Sequence, residues 1–106
     1  MAHLPSAYTR FREEFPEVAA QYDALGDAAH SAGPLDDKTR QLVKLALAVG
    51  AQLEGATHAH VRRALAMGIS PDEIKHVALL ALTTLGFPVT AKAYTWINDI
   101  LDREGS

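Results

Sequence analysis

The fold is decided by the stretch from residue 35 to residue 50, which reads LDDKTRQLVKLALAVG. Its two aspartates, Asp36 and Asp37, can cap a helix and place negative charge in the first turn, where the helix dipole favours it. Apolar residues at helical spacing form one face, namely Leu42, Leu45, Ala46 and Val49. Further apolar residues cover most of the other sides, and such a helix lies buried among other elements. We therefore expect this helix at the centre of a bundle.

Outside that stretch the sequence also predicts helices, separated by short breaks. Strong helix formers such as Ala, Leu and Glu dominate the composition, and nothing indicates a ladder of strands. The fold class is therefore all-α, a compact bundle of about six helices in a single domain over residues 1–106. The other five predicted helices cover about residues 6–14, 16–31, 52–68, 71–85 and 87–103.

The clearest local signal surrounds residue 70. Ser70 can cap the backbone amide of Glu73, the Glu73 side chain can answer back, and Pro71 suits the first helical position. Gly68 is predicted to follow the end of the preceding helix, and Gly86 to end this one. Both boundaries of the fifth helix are thus predicted from local chemistry.

The composition excludes several classes of protein. The chain has 106 residues, of which 48% are hydrophobic and none is cysteine, so it has no disulfide, no thiolate metal site and no thiol nucleophile of its own. A formal net charge of −3 gives no reason to expect nucleic acid as a partner. The sequence shows no secretory signal and no apolar run long enough for a bilayer, so we expect a cytoplasmic protein without a membrane partner.

The two central helices leave few polar faces for so small a chain. A monomer of this size buries only roughly 65% of the surface that its unfolded chain exposes. Helices that are apolar on most sides therefore need either a very efficient bundle or burial against another subunit. We favour the second alternative and expect a homo-oligomer.

Two histidines, His58 and His60, lie on the predicted fourth helix. Because successive helical residues are about 100° apart, these side chains point about 200° apart and cannot share a metal ion, so we expect no metal site. His60 lies on a side with small or flexible apolar residues that would leave a recess, namely Ala56, Ala64 and Met67. Such a histidine is either catalytic or a core histidine that a neighbouring group satisfies.

Two further residues have both a structural and a functional interpretation. His58 lies four residues from Glu54 and from Arg62, which indicates a solvated stripe of charges or a contact between subunits. Arg40 lies on the highly apolar third helix, where a guanidinium usually holds a carboxylate. It can serve the site, or it can form a structural ion pair with an aspartate at the start of its helix or with a neighbouring subunit.

Several ordered elements carry a resemblance to a known family: residues 39–42 (TRQL), His60, Ala64, Gly68, residues 70–74 (SPDEI) and residues 86–88 (GFP). Together they resemble the carboxymuconolactone decarboxylase family and its alkylhydroperoxidase D-like branch. The resemblance covers about residues 35–101 and implies an all-α bundle that assembles as a homotrimer or homohexamer.

The resemblance also separates the branches of that family. Peroxidase-type members carry a glutamate after the arginine, then two cysteines and a histidine, but here those places hold Gln41, Leu53, Ala56 and His60. A thiol-based peroxidase is therefore impossible in this chain alone. The chain is more similar to the decarboxylase-type branch, which lacks the cysteine pair.

The resemblance to that branch implies decarboxylation or protonation of a small carboxylate or lactone, without a cofactor. His60 is the expected acid, Arg40 would orient a carboxylate or hold the site, and Gln41 could hydrogen-bond His60. Glu54 and His58 would reach the site across a subunit boundary. Two alternatives stay open: a module that binds a small molecule without turning it over, and a purely structural oligomer with no pocket lined by His60.

Overall fold

The computed structural model describes residues 7–104, which form six helices and no strand. The predicted all-α class is confirmed for this range. The helices are α1 (Ala7–Glu14), α2 (Pro16–Ser31), α3 (Asp37–Gly50), α4 (Glu54–Ala66), α5 (Pro71–Leu85) and α6 (Phe87–Glu104). Residue 6, the predicted start of the first helix, lies outside the described residues. Within the described range, none of the helices combines the length and the hydropathy that a transmembrane span requires.

The fourth helix starts later than predicted, at Glu54, and ends before Gly68 as predicted. Gln52 adopts a left-handed backbone conformation with a φ of 56°, which a right-handed helix does not accommodate. The amides of Gln52 and Leu53 donate to carbonyls of α3 at 3.0 Å, so these residues complete α3 instead of starting α4. At the other end, Gly68 has a φ of 84°, the conformation that glycine adopts without steric cost beyond a helix end.

Within the described range the chain forms two compact units, residues 7–34 and residues 35–104. The second unit encloses an apolar core to which all four of its helices contribute. The buried core residues are Leu45, Val49, Val61, Ala64, Ile69, Ile74, Ala78, Ala81, Ala93, Ile97, Ile100 and Leu101. Within this unit α3 packs against α4 and α5, and α6 packs against the same two helices. The prediction of a single domain over residues 1–106 stays a prediction.

The third helix is buried on one face and not on all sides as expected. Leu45 and Val49 of the predicted apolar face lie in the core. Val43 and Leu47, on the other sides, are 42% and 66% exposed. The reason is that α3 has neighbours within its unit on only part of its circumference, so its remaining apolar side chains face outward in this chain.

Polar contacts fix the starts of α3 and α5. The Asp36 carboxylate accepts from the amide of Thr39 at 2.8 Å, and this bond lowers the pKa of Asp36. The predicted capping box is present, since Ser70 and Glu73 bond reciprocally at 3.0 to 3.2 Å. Glu73 also pairs with Lys38 of α3. The Lys38 ammonium, followed by the Ser70 donors, lowers the pKa of Glu73 to about 2, so the two helix starts are held together by charge.

The first unit consists of α1 and α2, and its contacts are mainly polar and aromatic. The Arg12 guanidinium of α1 binds both oxygens of Asp23 on α2 and lies 5.3 Å from the centre of the Tyr8 ring. The rings of Phe11 and Phe15 are 5.3 Å apart. Hydrogen bonding to Arg12 holds the pKa of Asp23 below its usual range.

Candidate functional site

The contact between α3 and α4 brings together two of the residues predicted for the site. Gln41 is buried on α3, with 9% of its surface exposed, and His60 is half-buried on α4. The Nε2 atom of Gln41 lies 3.1 Å from Nδ1 of the His60 ring and 3.0 Å from the backbone oxygen of His60. The hydrogen bond expected between these side chains is therefore present. One amide nitrogen therefore contacts both the ring and the backbone of His60, and this double contact fixes the position of the residue.

The surroundings of His60 differ from the uniform recess that the sequence predicted. Of the three residues on its side of the helix, Ala64 is fully buried, Ala56 is half-buried and Met67 is 44% exposed. Ala64 belongs to the apolar core, so that part of the recess is filled by neighbouring helices. His60 accordingly lies at the margin of the core, with packed residues on one side and accessible residues on the other.

His58 makes its contact with a different helix. Its Nε2 atom lies 3.0 Å from a carboxylate oxygen of Asp99 on α6, and the two side chains are 20% and 42% exposed. Asp99 was not predicted from the sequence, because His58 and Asp99 are 41 positions apart and no local pattern links them. The contact connects α4 to α6 on a side of the helix away from Gln41.

Arg40 takes the structural role that was one of its two interpretations. One nitrogen of its guanidinium lies 2.6 Å from a carboxylate oxygen of Asp37, and another donates to the backbone oxygen of Leu35 at 3.0 Å. The guanidinium thereby ties down the first turn of α3, next to Gln41. Glu54 is exposed in the first turn of α4, where a negative charge suits the helix dipole. The structure does not bring Glu54 to His60 through any contact that we observe.

Thr57 is a polar residue of α4 that its sequence context did not assign to the site. It is fully buried, and its Oγ1 has no hydrogen-bond partner in the part of the chain that the structure describes. It lies on the same buried stripe of α4 as Val61 and Ala64. No sequence signal marks it, because a threonine in a helix usually bonds to a carbonyl of the preceding turn.

A groove of about 410 Å³ opens between α5 and α6, away from the predicted site. Its lining residues are Asp72, Lys75, His76, Ala78, Leu79, Thr90 and Tyr94. None of these residues was assigned to the site from the sequence, although residues 72, 75, 76 and 79 recur at helical spacing and so share one face of α5. The groove is open and no observed bond joins its polar groups, whereas the Gln41 amide fixes the position of His60.

Metal binding has no support among the described residues, where no group of three or more His, Asp or Glu side chains is placed to hold an ion. His58 and His60, the two nearest candidates along the chain, are directed to different helices. Their separation agrees with the opposite orientation expected from their spacing.

Comparisons with known proteins add a family and a relative. A family model described as "Carboxymuconolactone decarboxylase family" matches residues 16–99, which include parts of both units and the Gln41–His60 contact. The chain is similar to an uncharacterized protein of Haemophilus influenzae, with 35% identity over 63 residues. The matched part is 59% of this chain and 56% of that relative, so the chain spans about half the length of the curated relative it matches. No solved structure matches the chain.

Proposed function

This chain belongs to the carboxymuconolactone decarboxylase family, and we propose that it catalyses decarboxylation or protonation of a small lactone or carboxylic acid, without a cofactor and with His60 as the acid. The observation that carries the proposal is the half-buried His60 ring, whose Nδ1 lies 3.1 Å from the Gln41 amide nitrogen, while the same nitrogen donates to the His60 backbone oxygen at 3.0 Å. An oriented imidazole at the margin of an apolar core is suited to donate to a bound substrate.

The chemistry of such a reaction makes modest demands on the protein. The bond between the carboxylate carbon and its neighbouring carbon breaks, carbon dioxide leaves, and the electron pair passes into a carbonyl group to form a dienolate. The carbon that lost the carboxylate then takes up a proton. A preorganised donor near the developing negative charge lowers the barrier, and partial exclusion of water strengthens its effect. His60 is the residue that meets this description.

The remaining predicted residues support the site in different ways. We assign Arg40 to holding the first turn of α3, since its guanidinium already binds Asp37 and the Leu35 carbonyl. Gln41, the next residue, projects from that turn to the His60 ring. Glu54 and His58 reach a substrate only where a neighbouring subunit brings them to the site.

A homotrimer or homohexamer is part of the proposal. Large apolar side chains of the second unit are exposed in the single chain, among them Val43, Leu47, Leu53, Leu79, Leu80, Leu85 and Phe87. Soluble monomers rarely leave so much apolar surface uncovered. Light scattering coupled to size-exclusion chromatography should give three or six times the chain mass of 11.4 kDa. A monomer at micromolar concentration would overturn this part of the proposal.

The test of the activity is turnover of a panel of small lactone acids, followed by release of carbon dioxide. His60→Ala should lower kcat/KM for any substrate found by about 10²–10⁴-fold, the usual contribution of a general acid. His76→Ala is the control, because it removes an exposed histidine of α5 that has no part in the proposed site, and it should keep most of the activity. Unchanged turnover in His60→Ala would refute the catalytic assignment.

The same panel tests the alternative of a binding module. Thermal stabilisation by a lactone acid that is lost in His60→Ala, without any carbon dioxide release by the unchanged protein, would favour binding without turnover. The loss of both cysteine positions and of the relay glutamate, at Leu53, Ala56 and Gln41, is the observation behind this alternative.

A further inference from the structure

The two contacts of Gln41 determine which way its side-chain amide faces. A backbone carbonyl oxygen can only accept a hydrogen bond, and the Gln41 atom that lies 3.0 Å from the His60 oxygen must therefore be the donating NH₂ group. With the amide reversed, two oxygens would face each other at that distance. The chemistry of the contact thus fixes an assignment that geometry alone leaves ambiguous for an amide.

The orientation of the amide in turn determines where the His60 proton lies. The same NH₂ group is 3.1 Å from Nδ1 of the ring, and an amide nitrogen donates but does not accept. Nδ1 must therefore be the accepting, unprotonated nitrogen. In the neutral ring the proton is then on Nε2.

Protonation of the ring on both nitrogens would break this arrangement. It would set an Nδ1–H group against the Gln41 NH₂ group, with two donors facing each other. Reversing the amide would relieve that conflict but would place its oxygen against the His60 carbonyl oxygen. Gln41 is buried, so water compensates poorly for either loss.

We propose that Gln41 is a positioning residue that holds His60 as the neutral Nε2–H tautomer, so that His60 acts on a substrate oxygen through a hydrogen bond from Nε2. This inference rests on the proposed function for its meaning in catalysis and narrows it: His60 is the hydrogen-bond acid at the substrate oxygen, and the proton on carbon comes from water. A neutral imidazole can stabilise a carbonyl oxygen that gains negative charge. The dienolate oxygen of a decarboxylating lactone acid is such an oxygen, and water then supplies the proton to carbon, with the resulting hydroxide neutralised by the solvent.

The substrate class follows from this placement of the proton. A ligand that turns a carbonyl or enolate oxygen toward Nε2 is bound by this tautomer, whereas a ligand that presents only N–H or O–H donors is not. We therefore expect selection of lactones and oxo acids over amines of similar size.

The decisive experiment is a long-range ¹H–¹⁵N spectrum of the uniformly ¹⁵N-labelled chain near neutral pH. His60 is assigned by the signals that disappear in His60→Ala, and the tautomer is given by which ring nitrogen resonates as protonated. We expect Nε2 protonated and Nδ1 unprotonated. A proton on Nδ1, or averaging between the two tautomers, overturns the proposal. The exposed His76 gives an internal reference in the same spectrum.

Two substitutions of Gln41 test that this residue is the cause. Gln41→Leu replaces the amide with an apolar side chain of similar size and so removes the donor. The His60 signals should then show averaging between the two tautomers. Gln41→Glu supplies an acceptor, and the proton should move to Nδ1. An unchanged His60 spectrum in both variants would show that Gln41 does not set the tautomer. Circular dichroism establishes that each variant is folded before its spectrum is interpreted.

The spectra need no substrate, so they separate this inference from the proposed function. If the tautomer is as expected but no lactone acid is turned over, the positioning role stands and the activity falls. If turnover is found, Gln41→Glu, assayed at a pH at which its spectrum shows a neutral His60 ring, should lower kcat by about 10²–10³-fold with little change in KM, because the donor at the developing oxyanion is lost. An equal kcat in Gln41→Glu would overturn the role of Nε2–H in catalysis.

Discussion

Residues 35–104 enclose an apolar core to which four helices contribute, whereas α1 and α2, in residues 7–34, bury only Ala19. In the first unit the two helices are joined by the Arg12–Asp23 pair, and the exposed rings of Phe11 and Phe15 contact each other in a tilted arrangement at the turn between them. In the second unit the polar contacts, such as those of Gln41 and Ser70, are added to a core that already exists. The comparison separates a region stabilised by burial from one stabilised by exposed contacts.

The difference bears on function as well as on stability. A side chain can be held in one orientation where packed helices surround it, since displacement would open the core. Gln41 and His60 lie in the packed unit, and their contact has this support. The apolar side chains of α1 and α2 have no comparable cover within their unit, which makes them candidates for contact with other surfaces. Tyr8, Phe11, Phe15, Tyr22 and Leu25 are all at least 46% exposed.

The largest expected effect compares a core residue with an exposed one. Ile97→Ala, at a fully buried position of α6, should lower the free energy of unfolding by about 2–5 kcal/mol, because it leaves a cavity. Leu25→Ala in α2, where the side chain is 66% exposed, should change it by less than about 0.5 kcal/mol. Urea denaturation measures both. An equal loss in Leu25→Ala would break the comparison, since it would show that the α2 surface is covered in the folded protein.

The next effect comes from the helix caps. Ser70 caps α5 with its side chain, whereas Phe15 at the start of α2 provides no side-chain cap. Ser70→Ala should destabilise the protein by about 1 kcal/mol, because the Glu73 amide loses its acceptor. Ser70→Thr keeps a hydroxyl and should recover most of that loss. If Ser70→Thr is as unstable as Ser70→Ala, the cap is not the source of the effect.

Substitution of Thr57 should change the free energy of unfolding by a similar amount, but with the opposite sign. Its buried hydroxyl has no partner among the described residues, so replacing it with a methyl group should remove a desolvation cost. Thr57→Val is close to isosteric, and we expect the unfolding free energy to rise by about 1 kcal/mol. Thermal and urea denaturation should agree on the sign. Destabilisation would contradict this account and indicate that the hydroxyl is satisfied in solution.

Acid titration tests the Lys38–Glu73 ion pair, which links α3 and α5 in the second unit. The pKa of Glu73 is about 2 in the folded protein, below its ordinary value of 4.5, so its contacts stabilise the folded state above pH 4.5. That contribution is lost as the pH falls from about 4.5 toward 2. Wild type should therefore lose more stability than Glu73→Gln over this window. If stability falls equally with pH in the two proteins, the Lys38–Glu73 contact does not stabilise the folded state.

The smallest global effect is expected in the first unit. The Arg12–Asp23 pair is exposed to solvent, and such pairs add little to overall stability. Arg12→Met should leave the urea midpoint unchanged but accelerate amide hydrogen exchange across α1, since it removes the link between α1 and α2. Exchange that stays as slow as in wild type would indicate that contacts other than Arg12 hold α1.

Much of the fold could be predicted because its signals are local. The capping box at Ser70 and Glu73 and the glycine conformation at Gly68 depend on residues within a few positions of one another. The start of α4 was misplaced because Gln52 takes a left-handed conformation that its immediate neighbours do not predict. The outward face of α3 was misjudged for a different reason: periodicity shows which residues are apolar but not how many neighbours a helix has.

The candidate site was only partly predictable. The Gln41–His60 contact was expected from a family resemblance, and the structure contains it. The His58–Asp99 contact was not expected, because its partners lie 41 positions apart and meet only when α4 packs against α6. The alternative that Arg40 forms an ion pair with an aspartate of its own helix needed only short spacing, and that pair is present.

By itself the sequence determined the helical class, most helix boundaries, the caps and the absence of thiol chemistry, because each depends on composition or on residues within one or two turns. Only the tertiary structure decided which polar groups meet. It joined the Gln41 amide to both the ring and the backbone of His60, and it left the Thr57 hydroxyl buried without an observed partner. The physical reason is that hydrogen bonding acts over about 3 Å, and packing of helices that are distant in sequence sets which atoms come within that range.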